Sequence, residues 1–313
     1  MKAVEYDRYG PATVLAVRDV PRPIPGPGEL LVRVRAAALN PKDVIVRSGK
    51  FRLLSGRGFP KRVGFDWSGE IAEVGAGVSG VAIGAAYYGM LDGYQGGACA
   101  EYVAVRPTDC APKPVRLDHV QAAAAPLAAS TALQALRDVA RLEPGMRLLV
   151  NGASGGVGVF AVQIARLLGA HVTSTSSAAN LELCRKLGAA VALDYRAYDP
   201  LVGPERFDVV FDVFGSRTLR EARHVLAERG VFVKTVPKAR DLFDVVRTRF
   251  SHPRAHLVIV RPRGRDLELV TRWLDEGTVV PVVDKVYPLD RIRDAEAHVE
   301  SKHARGKVVV SID

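Results

Sequence analysis

The first part of the chain, up to Leu117, has short apolar runs bounded by glycine and proline. In the most regular run, residues 30–36, apolar and basic side chains partly alternate. It follows the proline-rich segment 21–28, which is incompatible with a regular helix or a central strand. Further short runs occupy residues 68–74 and 100–105. This pattern predicts a compact, irregular β-barrel.

The pattern changes after Leu117. Small-residue helices are predicted between residues 122 and 139, and strands then alternate with helices. The predicted strands are residues 147–150, 171–175, 209–213, 231–235 and 257–260, and the helices are residues 157–168, 181–187 and 219–227. Such alternation is typical of a parallel sheet with helices on both faces. We expect the tail, with a helix at 267–276 and a strand at 307–311, to return to the N-terminal domain.

A glycine-rich turn joins the predicted strand 147–150 to the predicted helix 157–168. Glycine permits the φ angles of a tight turn and leaves no Cβ between the backbone and a pyrophosphate. The amides at the start of the helix then point at the phosphates. We therefore predict a dinucleotide site, rather than a purely structural turn. Its predicted cofactor-binding residues are Gly152, Ser154, Gly155, Gly156, Val157 and Gly158.

The end of the next predicted strand indicates which dinucleotide is bound. An NAD site places Asp or Glu there to hold the ribose 2′-hydroxyl. This chain instead has Thr175, Ser176 and Ser177, whose hydroxyls can donate to a 2′-phosphate that a carboxylate would repel. Tyr195 and Arg196 follow the third strand and are either further phosphate ligands or ordinary surface residues. The pattern favours NADPH.

Length and composition are consistent with two soluble domains, since the chain has 313 residues, 48% of them apolar and 25% charged. No apolar run reaches the roughly 18–20 residues of a membrane span. The first residues lack the apolar stretch of a signal peptide, so we expect a cytoplasmic protein. The cysteines, Cys99, Cys110 and Cys184, argue by number and spacing against a disulfide framework or a four-cysteine zinc site within one chain.

The chain is basic, with a net charge of +10, and Arg and Lys greatly outnumber Asp and Glu between Arg217 and Arg265. Such a surface attracts nucleic acid, a membrane face or an anionic substrate. Here apolar residues such as Phe243, Val245 and Val246 are interleaved with the charges, and no aromatic-rich nucleic-acid motif accompanies them. We therefore expect a solvated basic face that favours a phosphorylated cofactor, and we do not expect nucleic-acid binding.

Several motifs follow one another in order along the chain. They are Asn40-Pro41-Lys42-Asp43, GFDWSG at 64–69, GGACAEYV at 96–103, APL at 125–127, STA at 130–132, NGASGGVG at 151–158, LGA at 187–189 with Asp194-Tyr195, and RGKVV at 305–309. With this order and spacing, the chain resembles the zinc-independent, quinone oxidoreductase-like branch of the medium-chain dehydrogenase/reductase superfamily over nearly its whole length.

The resemblance implies an α/β protein of two domains. One is a GroES-like β-barrel catalytic domain, residues 1–118 with a C-terminal return at 264–313. The other is a Rossmann NADPH-binding domain with a doubly wound parallel sheet, residues 119–263. A cleft between them is expected to hold nicotinamide and substrate. Family members are usually homodimers, often through an edge strand of the Rossmann sheet, and the predicted strands 231–235 and 257–260 are apolar enough for that role.

The resemblance also implies roles for individual residues. Asn40 is the candidate polar group near the nicotinamide, and Arg47 either polarises a substrate carbonyl or forms a buried structural salt bridge. Asn180 stands where several relatives have a lysine that binds the 2′-phosphate. Further cofactor contacts are implied for Thr131, Asn180, Phe214, Val236 with Pro237, Val258, Val260 and Arg305. Ile45 and Phe51 stand where many quinone reductases have tyrosines, which suggests an apolar substrate pocket and protonation from solvent.

Zinc-dependent relatives carry a ligand cysteine at the position of Asn40 and the sequence Gly-His-Glu at residues 64–66. Asn40 and Phe65 are poor zinc ligands, and a catalytic zinc needs three protein ligands. Without zinc, we expect hydride transfer from nicotinamide to an electron-poor carbon, with a donor stabilising the charge that develops on the carbonyl oxygen.

Three functions fit the sequence. The first is an NADPH-dependent reductase of a quinone or an α,β-unsaturated carbonyl. The second is a dedicated biosynthetic enoyl reductase acting on a polyketide-like or acyl intermediate, which the apolar pocket and basic face would suit. The third is a non-enzymatic NADPH-binding protein, crystallin-like or RNA-binding, because no residue is assured as an acid or base.

Overall fold

The computed structural model describes residues 1–56, 58–236 and 239–312, with only the backbone of Ala239. Pro237, expected at the cofactor groove, lies outside the described residues. The described strands are β1 Lys2–Tyr6, β2 Ala16–Asp19, β3 Leu30–Leu39, β4 Lys61–Arg62, β5 Asp66–Val74, β6 Ala86–Met90, β7 Tyr102–Val105, β8 Cys110–Pro112, β9 Arg147–Asn151, β10 His171–Ser176, β11 Val191–Asp194, β12 Phe207–Asp212, β13 Leu226–Lys234, β14 Arg254–Leu257, β15 Val283–Pro288 and β16 Lys307–Ser311.

The described helices lie between these strands, and none of them is long and apolar enough to cross a membrane. They are α1 Pro41–Arg47, α2 His119–Ala123, α3 Pro126–Leu133, α4 Gly156–Leu167, α5 Leu181–Leu187, α6 Leu219–Ala222, α7 Ala239–Arg247, α8 Gly264–Glu276 and α9 Ile292–Glu300. A π-helical segment, Gln134–Val139, continues directly from α3.

The chain divides into two compact units. The first contains Met1–Ser130 together with the residues from Arg261 onward, and the second contains Thr131–Val260. The boundary lies later than the one expected after residue 118. The reason is that α2 packs on β3, β5 and β16, where small side chains such as Ala123 and Ala124 are buried against Ala36 and Ala38.

The described part of the second unit forms a six-stranded parallel sheet in the order β11-β10-β9-β12-β13-β14. This is the order of a doubly wound dinucleotide-binding sheet, which confirms the predicted fold. The central strand β9 pairs with β10 on one side and β12 on the other. Chain direction therefore diverges at β9, and parallel sheets of this type bind ligands at the carboxyl ends of the strands at that point.

The first unit is mostly antiparallel. Its larger sheet has the order β15-β16-β3-β5-β6-β8, with β7 also pairing with β3, and its smaller sheet has the order β2-β1-β4. Trp67 and apolar side chains of β1, β3 and β16 are buried in one core. The strand predicted at 307–311 is β16, which pairs antiparallel with β3, so the C-terminal segment returns to this unit.

Three sequence-based element predictions are corrected in the second unit. The strand predicted at 257–260 is β14 at Arg254–Leu257, and the apolar run beyond it was misleading because Ile259 is 69% exposed. The helix predicted at 219–227 ends at Ala222, where the chain turns towards β13. The helix α7 was not predicted; it lies in the segment between Arg217 and Arg265 where basic residues outnumber acidic ones.

Candidate cofactor and active site

The glycine turn lies between β9 and α4, and its backbone requires glycine at two positions. Gly152 has a φ of +88°, and a Cβ there would lie 2.9 Å from Cβ of Phe214. At Gly158, a Cβ would lie 2.2 Å from the carbonyl oxygen of Gly152 and 2.6 Å from the carbonyl carbon of Ala153. No side-chain rearrangement can relieve an overlap with backbone. The closeness of the turn to the first turn of α4 therefore depends on Gly158.

The start of α4 leaves hydrogen-bond donors for an anion. The helix begins at Gly156. The preceding N-cap residue is Gly155, which has no side chain that could accept a hydrogen bond from the first N–H groups of the helix. Because the first N–H groups of a helix have no acceptor within it, those of Gly156 and Val157 point out of the helix end. Ser154 and Val157 are partly exposed beside them. These residues fit a pyrophosphate, since helix N-termini with open glycine backbone stabilise phosphate groups.

A network of buried hydrogen bonds around Asp212 supports the glycine turn. The Asn151 side chain donates to the carboxylate of Asp212 at 2.7 Å and accepts from the Thr175 hydroxyl at 2.8 Å. The same carboxylate accepts from the backbone N–H of Gly215 and Arg217, at 3.0 and 2.8 Å. Asp212 thus joins the ends of β9 and β12, which meet at the edge where the cofactor is expected. The predicted strand 209–213 contains Asp212, but sequence analysis gave it no role; a buried acid near a strand end is the signal that could have identified it.

The end of β10 carries the hydroxyls that were expected to face a 2′-phosphate. The Asn180 amide donates to the Ser177 hydroxyl at 3.2 Å and to the Ser154 hydroxyl at 3.3 Å. Ser176 is buried, and its carbonyl accepts from the backbone N–H of Tyr195 at 3.1 Å. The structure therefore brings the glycine turn, the end of β10 and the residue after β11 together, with no acidic side chain in the β10–α5 loop at 177–180.

The remaining predicted cofactor residues lie in separate places. Thr131 is buried in α3, Val258 is buried beyond β14, Val236 and Val260 are partly exposed, and Phe214 is 54% exposed after β12. Gly215 approaches Val236, because a Cβ on Gly215 would lie 2.9 Å from the Val236 Cβ. Arg305 belongs to the other unit, where it is exposed and its backbone N–H donates to Asp284.

Asn40 lies at the N-terminus of α1 in a buried polar cluster of the first unit. Its amide nitrogen donates to Asp66 Oδ2 at 3.0 Å and to the carbonyl of Ala38 at 3.3 Å. The ammonium of Lys307 donates to Asn40 Oδ1 and, at 2.8 Å, to Asp66 Oδ2. Both ends of the Asn40 amide are therefore engaged within the protein. These contacts describe a structural role for Asn40 rather than a donor left available for a substrate.

Arg47 is fully buried, and it forms a salt bridge with Glu300 and a hydrogen bond with Glu296, which is the structural role among its two expected roles. Its Nε donates to Glu296 Oε2 at 3.1 Å, and its Nη2 donates to Glu300 Oε2 at 3.0 Å. A third nitrogen donates to the carbonyl of Gly10. The guanidinium joins α1 to α9, and its contacts do not support the alternative role of polarising a substrate carbonyl.

Burial changes the titration of two carboxyl groups in this region. Desolvation raises the pKa of Asp43 to about 6, although hydrogen bonds from the backbone N–H groups of Asn40 and Gly64 oppose the shift. Desolvation and the nearby Asp43 raise the pKa of Glu296 to about 8, against the opposing effect of Arg47. Both groups therefore favour their neutral forms more than exposed carboxyls do.

The predicted substrate residues Ile45 and Phe51 are both partly buried, on α1 and just beyond it. The Phe51 ring contacts the Tyr94 ring, with centroids 5.1 Å apart. The ammonium of Lys42 lies 3.9 Å from the centroid of the buried Phe65 ring and 5.3 Å from that of Tyr94. We call Phe51, Phe65 and Tyr94 the aromatic cluster. Sequence analysis missed Tyr94 and Lys42, which no local pattern connects.

The residues of the first unit do not fit a catalytic zinc. Phe65 offers no donor atom, the Asn40 amide is engaged, and the Lys307 ammonium pairs with Asp66. Within residues 1–56, 58–236 and 239–312, no three His, Cys, Asp or Glu side chains are grouped so that they could hold a metal ion.

Comparison with known proteins finds dehydrogenase-family matches in both units of the chain. Residues 26–115 match the alcohol dehydrogenase GroES-like domain, and residues 187–310 match the zinc-binding dehydrogenase family. The chain is 33% identical to a chloroplast envelope quinone oxidoreductase homolog of Arabidopsis thaliana, a match that covers 99% of this chain and 98% of the relative. It is 35% identical to a chloroplastic NADPH-dependent alkenal/one oxidoreductase of the same organism, covering 99% and 79%.

A solved quinone oxidoreductase from Coxiella burnetii superimposes on the chain with a TM-score of 0.92 at 30% identity, covering 100% of this chain and 99% of that one. The matches to the Arabidopsis quinone oxidoreductase homolog and to the Coxiella structure have identities of 33% and 30% along almost the full length of this chain and of each relative. They agree with the motifs and the strand order described above. The chain therefore belongs to the quinone oxidoreductase-like branch of the medium-chain dehydrogenase/reductase superfamily.

Proposed function

We propose that the chain is a zinc-independent, NADPH-dependent reductase that transfers a hydride to a quinone or to an α,β-unsaturated carbonyl compound. The observation that carries the proposal is the glycine turn at the start of α4, next to a β10 end that bears hydroxyl and amide groups. The names of the relatives, a quinone oxidoreductase homolog and an NADPH-dependent alkenal/one oxidoreductase, support the same substrate classes. The unsuitability of Asn40 and Phe65 as zinc ligands supports the zinc-independent chemistry.

In this proposal, NADPH binds across the carboxyl end of the parallel sheet. The N–H groups at the start of α4 hold the pyrophosphate, and Ser177 donates to the 2′-phosphate. Asn180 orients the Ser177 and Ser154 hydroxyls beside that phosphate through its two amide hydrogen bonds. Tyr195 is 49% exposed and the Arg196 guanidinium lies 5.5 Å from its ring centroid, so both can reach an anion bound at the surface. A second phosphate dianion is favoured where donors and a cation surround it and no carboxylate opposes it.

Bound NADPH supplies the hydride, and the chain's own residues set the conditions for its transfer. Asp212 and Asn151 hold the turn that fixes the cofactor phosphates. Asn40, Asp66 and Lys307 hold the start of α1, which carries Ile45. The half-buried Ile45 and Phe51 offer apolar contacts, which suit a quinone or alkenone better than a strongly hydrated substrate.

We further propose a homodimer and a cytoplasmic location, as the sequence analysis expects. β14 is the edge strand of the described sheet, whereas β13 lies between β12 and β14. Of the two segments considered for pairing between subunits, only the β14 region therefore has a free edge. Sedimentation as a single ~34 kDa species would contradict the dimer.

Steady-state oxidation of NADPH, followed by its absorbance, tests the proposed function. The panel is menadione, methyl vinyl ketone and crotonyl-CoA, each assayed with NADPH and with NADH. We expect turnover of menadione or methyl vinyl ketone, with NADPH preferred. Turnover of crotonyl-CoA alone would support the dedicated enoyl reductase instead. No turnover, together with RNA binding in ~100 mM salt that weakens steeply at higher salt, would support the non-enzymatic alternative.

A further inference from the structure

Lys42 differs from the other charged and polar residues at the start of α1. The groups of Asn40, Asp43 and Arg47 are engaged in buried hydrogen bonds or ion pairs with the rest of the unit. Lys42 is half-buried, yet among the described residues its ammonium has aromatic rings as neighbours and no carboxylate in salt-bridge contact. A buried lysine normally needs partners for its three donors. Its donors are therefore available to a ligand.

The aromatic cluster holds this ammonium in place. Phe65 is 1% exposed, and its ring face lies 3.9 Å from Nζ, a distance at which a cation and a ring attract each other. Tyr94 lies on the same ammonium at 5.3 Å and also contacts Phe51, one of the two residues expected to line the substrate pocket. Within the described part of the chain, Lys42 is thus a cation held against two rings, and its N–H donors have no hydrogen-bond acceptor there.

We propose that Lys42 is the proton donor of the reductase, with its ammonium hydrogen-bonding to the carbonyl oxygen of the bound quinone or enone and protonating it. This inference rests on the proposed function, and it identifies the acid that the sequence left open when Ile45 and Phe51 replaced the tyrosines of many relatives.

The charges around Lys42 suit this role. The carboxylates that act on it are Asp43 on α1, Asp66 at the start of β5 and Asp92 beyond β6, and each favours the ammonium form. Desolvation is the larger effect and lowers the pKa of Lys42 below its ordinary value of 10.5. A lysine that is still protonated near neutral pH, but more acidic than an exposed one, is a better general acid.

The reaction balances with this single group. For an enone, hydride from the cofactor forms a C–H bond at the β-carbon, and the electron pair of the C=C bond moves towards the carbonyl. The carbonyl oxygen takes a proton from Lys42 Nζ, giving an enol that becomes the ketone in water. NADPH is oxidised to NADP⁺ as the substrate is reduced, and neutral Lys42 regains its proton from solvent.

Lys42→Met and Lys42→Arg test the inference with methyl vinyl ketone and menadione as substrates. Lys42→Met keeps an apolar stem on the aromatic cluster and removes the acid, so we expect kcat to fall by about 10²–10⁴-fold. NADPH affinity, measured by fluorescence titration, and Tm should stay close to wild type. Lys42→Arg keeps the charge but holds its proton far above neutral pH, so kcat should remain low. Lys285→Met is the matched control, because exposed Lys285 also lies over a ring, 4.9 Å from the centroid of Tyr287.

A titration of the cofactor-free chain provides a readout independent of turnover. In protein labelled with ¹³C-lysine, the Cε signal that is missing from Lys42→Met should titrate below the ordinary lysine value, and kcat/KM of the wild type should decline with the same midpoint. A midpoint at or above about 10.4 would overturn the inference.

The kinetic outcomes separate the inference from the proposed function. Full activity in Lys42→Met, or restoration of the wild-type rate in Lys42→Arg, would overturn the proton transfer from Lys42. A loss of kcat in Tyr94→Phe without a loss in Lys42→Met would overturn it in favour of the phenol. A wild type that reduces no member of the panel would overturn the proposed function and, with it, this inference.

Discussion

The two units of the chain build their functional geometry in different ways. In the second unit, the cofactor turn is a local backbone structure, in which Gly152 and Gly158 are close because Gly158 has no Cβ. In the first unit, the polar cluster around Asn40 depends on partners distant in sequence, with Lys307 bonded to both Asn40 and Asp66, 267 and 241 positions away. Steric requirements of a local turn can be recognised from the sequence, whereas the partners of a buried side chain appear only in the fold.

The largest effect on cofactor affinity is expected at Gly158. Gly158→Ala places a Cβ 2.2 Å from a backbone oxygen that the turn cannot move without opening. We expect NADPH affinity to fall by at least about 100-fold, or about 2.7 kcal/mol, in a fluorescence titration. Gly155→Ala is the matched control, since its Cβ would meet only the Gly152 oxygen at an ordinary 3.6 Å, and it should retain the wild-type Tm. A Gly158→Ala protein that has the Tm and the NADPH affinity of the wild type would contradict the steric requirement for glycine at this position.

Much of the second unit was predictable for the same reason. The glycine turn, the parallel sheet and the hydroxyl-rich end of β10 follow from neighbouring residues and from the alternation of strands and helices, whereas the doubly wound arrangement was expected only from the family resemblance. Boundaries were less predictable where tertiary packing decides, as at β14, because an apolar run such as 257–260 does not reveal which residues face the core. The hydrogen bonds from Asn180 to Ser154 and Ser177 join segments whose proximity the sequence did not specify.

In the first unit, the return of the C-terminal strand was predictable, but the roles of single polar residues were not. Asn40 and Arg47 were identified as catalytic candidates through resemblance, and the fold engages both in buried contacts. Lys42 lies in the same motif and received no role, since its distinguishing features are the rings of Phe65 and Tyr94. The spacing within Asn40-Pro41-Lys42-Asp43 predicts neither which side chains are buried nor which of them find hydrogen-bond or ion-pair partners.

The largest effect on stability is expected at Lys307. Lys307→Met leaves the carboxylate of Asp66 buried without its cation, which should lower the free energy of unfolding by about 3–5 kcal/mol in a denaturant titration. The double variant Asp66→Asn with Lys307→Met removes both charges and should recover part of the loss, because the two residues interact directly. A loss below about 1 kcal/mol in the single variant, as for exposed pairs, would contradict the long-range cluster described here.

A smaller effect is expected at Ser177, a residue of the second unit that tests the proposed binding of the 2′-phosphate. Ser177→Asp places a carboxylate beside Asn180 and the proposed 2′-phosphate, so NADPH should bind about tenfold or more weakly while NADH binding is little affected. Ser177→Ala removes one hydroxyl and should have a smaller effect on NADPH. The measurement is kcat/KM for both cofactors with a fixed concentration of menadione. An unchanged preference in Ser177→Asp would show that the phosphate is held elsewhere.

The smallest effect is expected on the pH dependence of stability, from the titration of Glu296. This residue makes one of the long-range contacts of the first unit, with Arg47. Since the pKa of Glu296 is raised in the fold from 4.5 to about 8, the folded chain binds this proton more tightly than the unfolded chain. Stability from this group is therefore fully present at low pH and is lost as the pH rises from about 4.5 towards 8. The raised pKa of Asp43 acts in the same direction over a narrower window.

Glu296→Gln cannot titrate and keeps an acceptor for Arg47, so Tm should decline less with pH across this window than it does in the wild type. The control is Glu300→Gln, which alters the other carboxylate paired with Arg47, at a side chain that is 49% exposed. It should change the slope much less than Glu296→Gln does, because Glu300 is the smallest of the named contributions to the raised pKa of Glu296. Equal slopes in Glu296→Gln and wild type would mean that Glu296 is ionised in the fold as well. The pair with Arg47 would then outweigh the desolvation of the carboxyl, and α1 and α9 would be joined by a full buried ion pair.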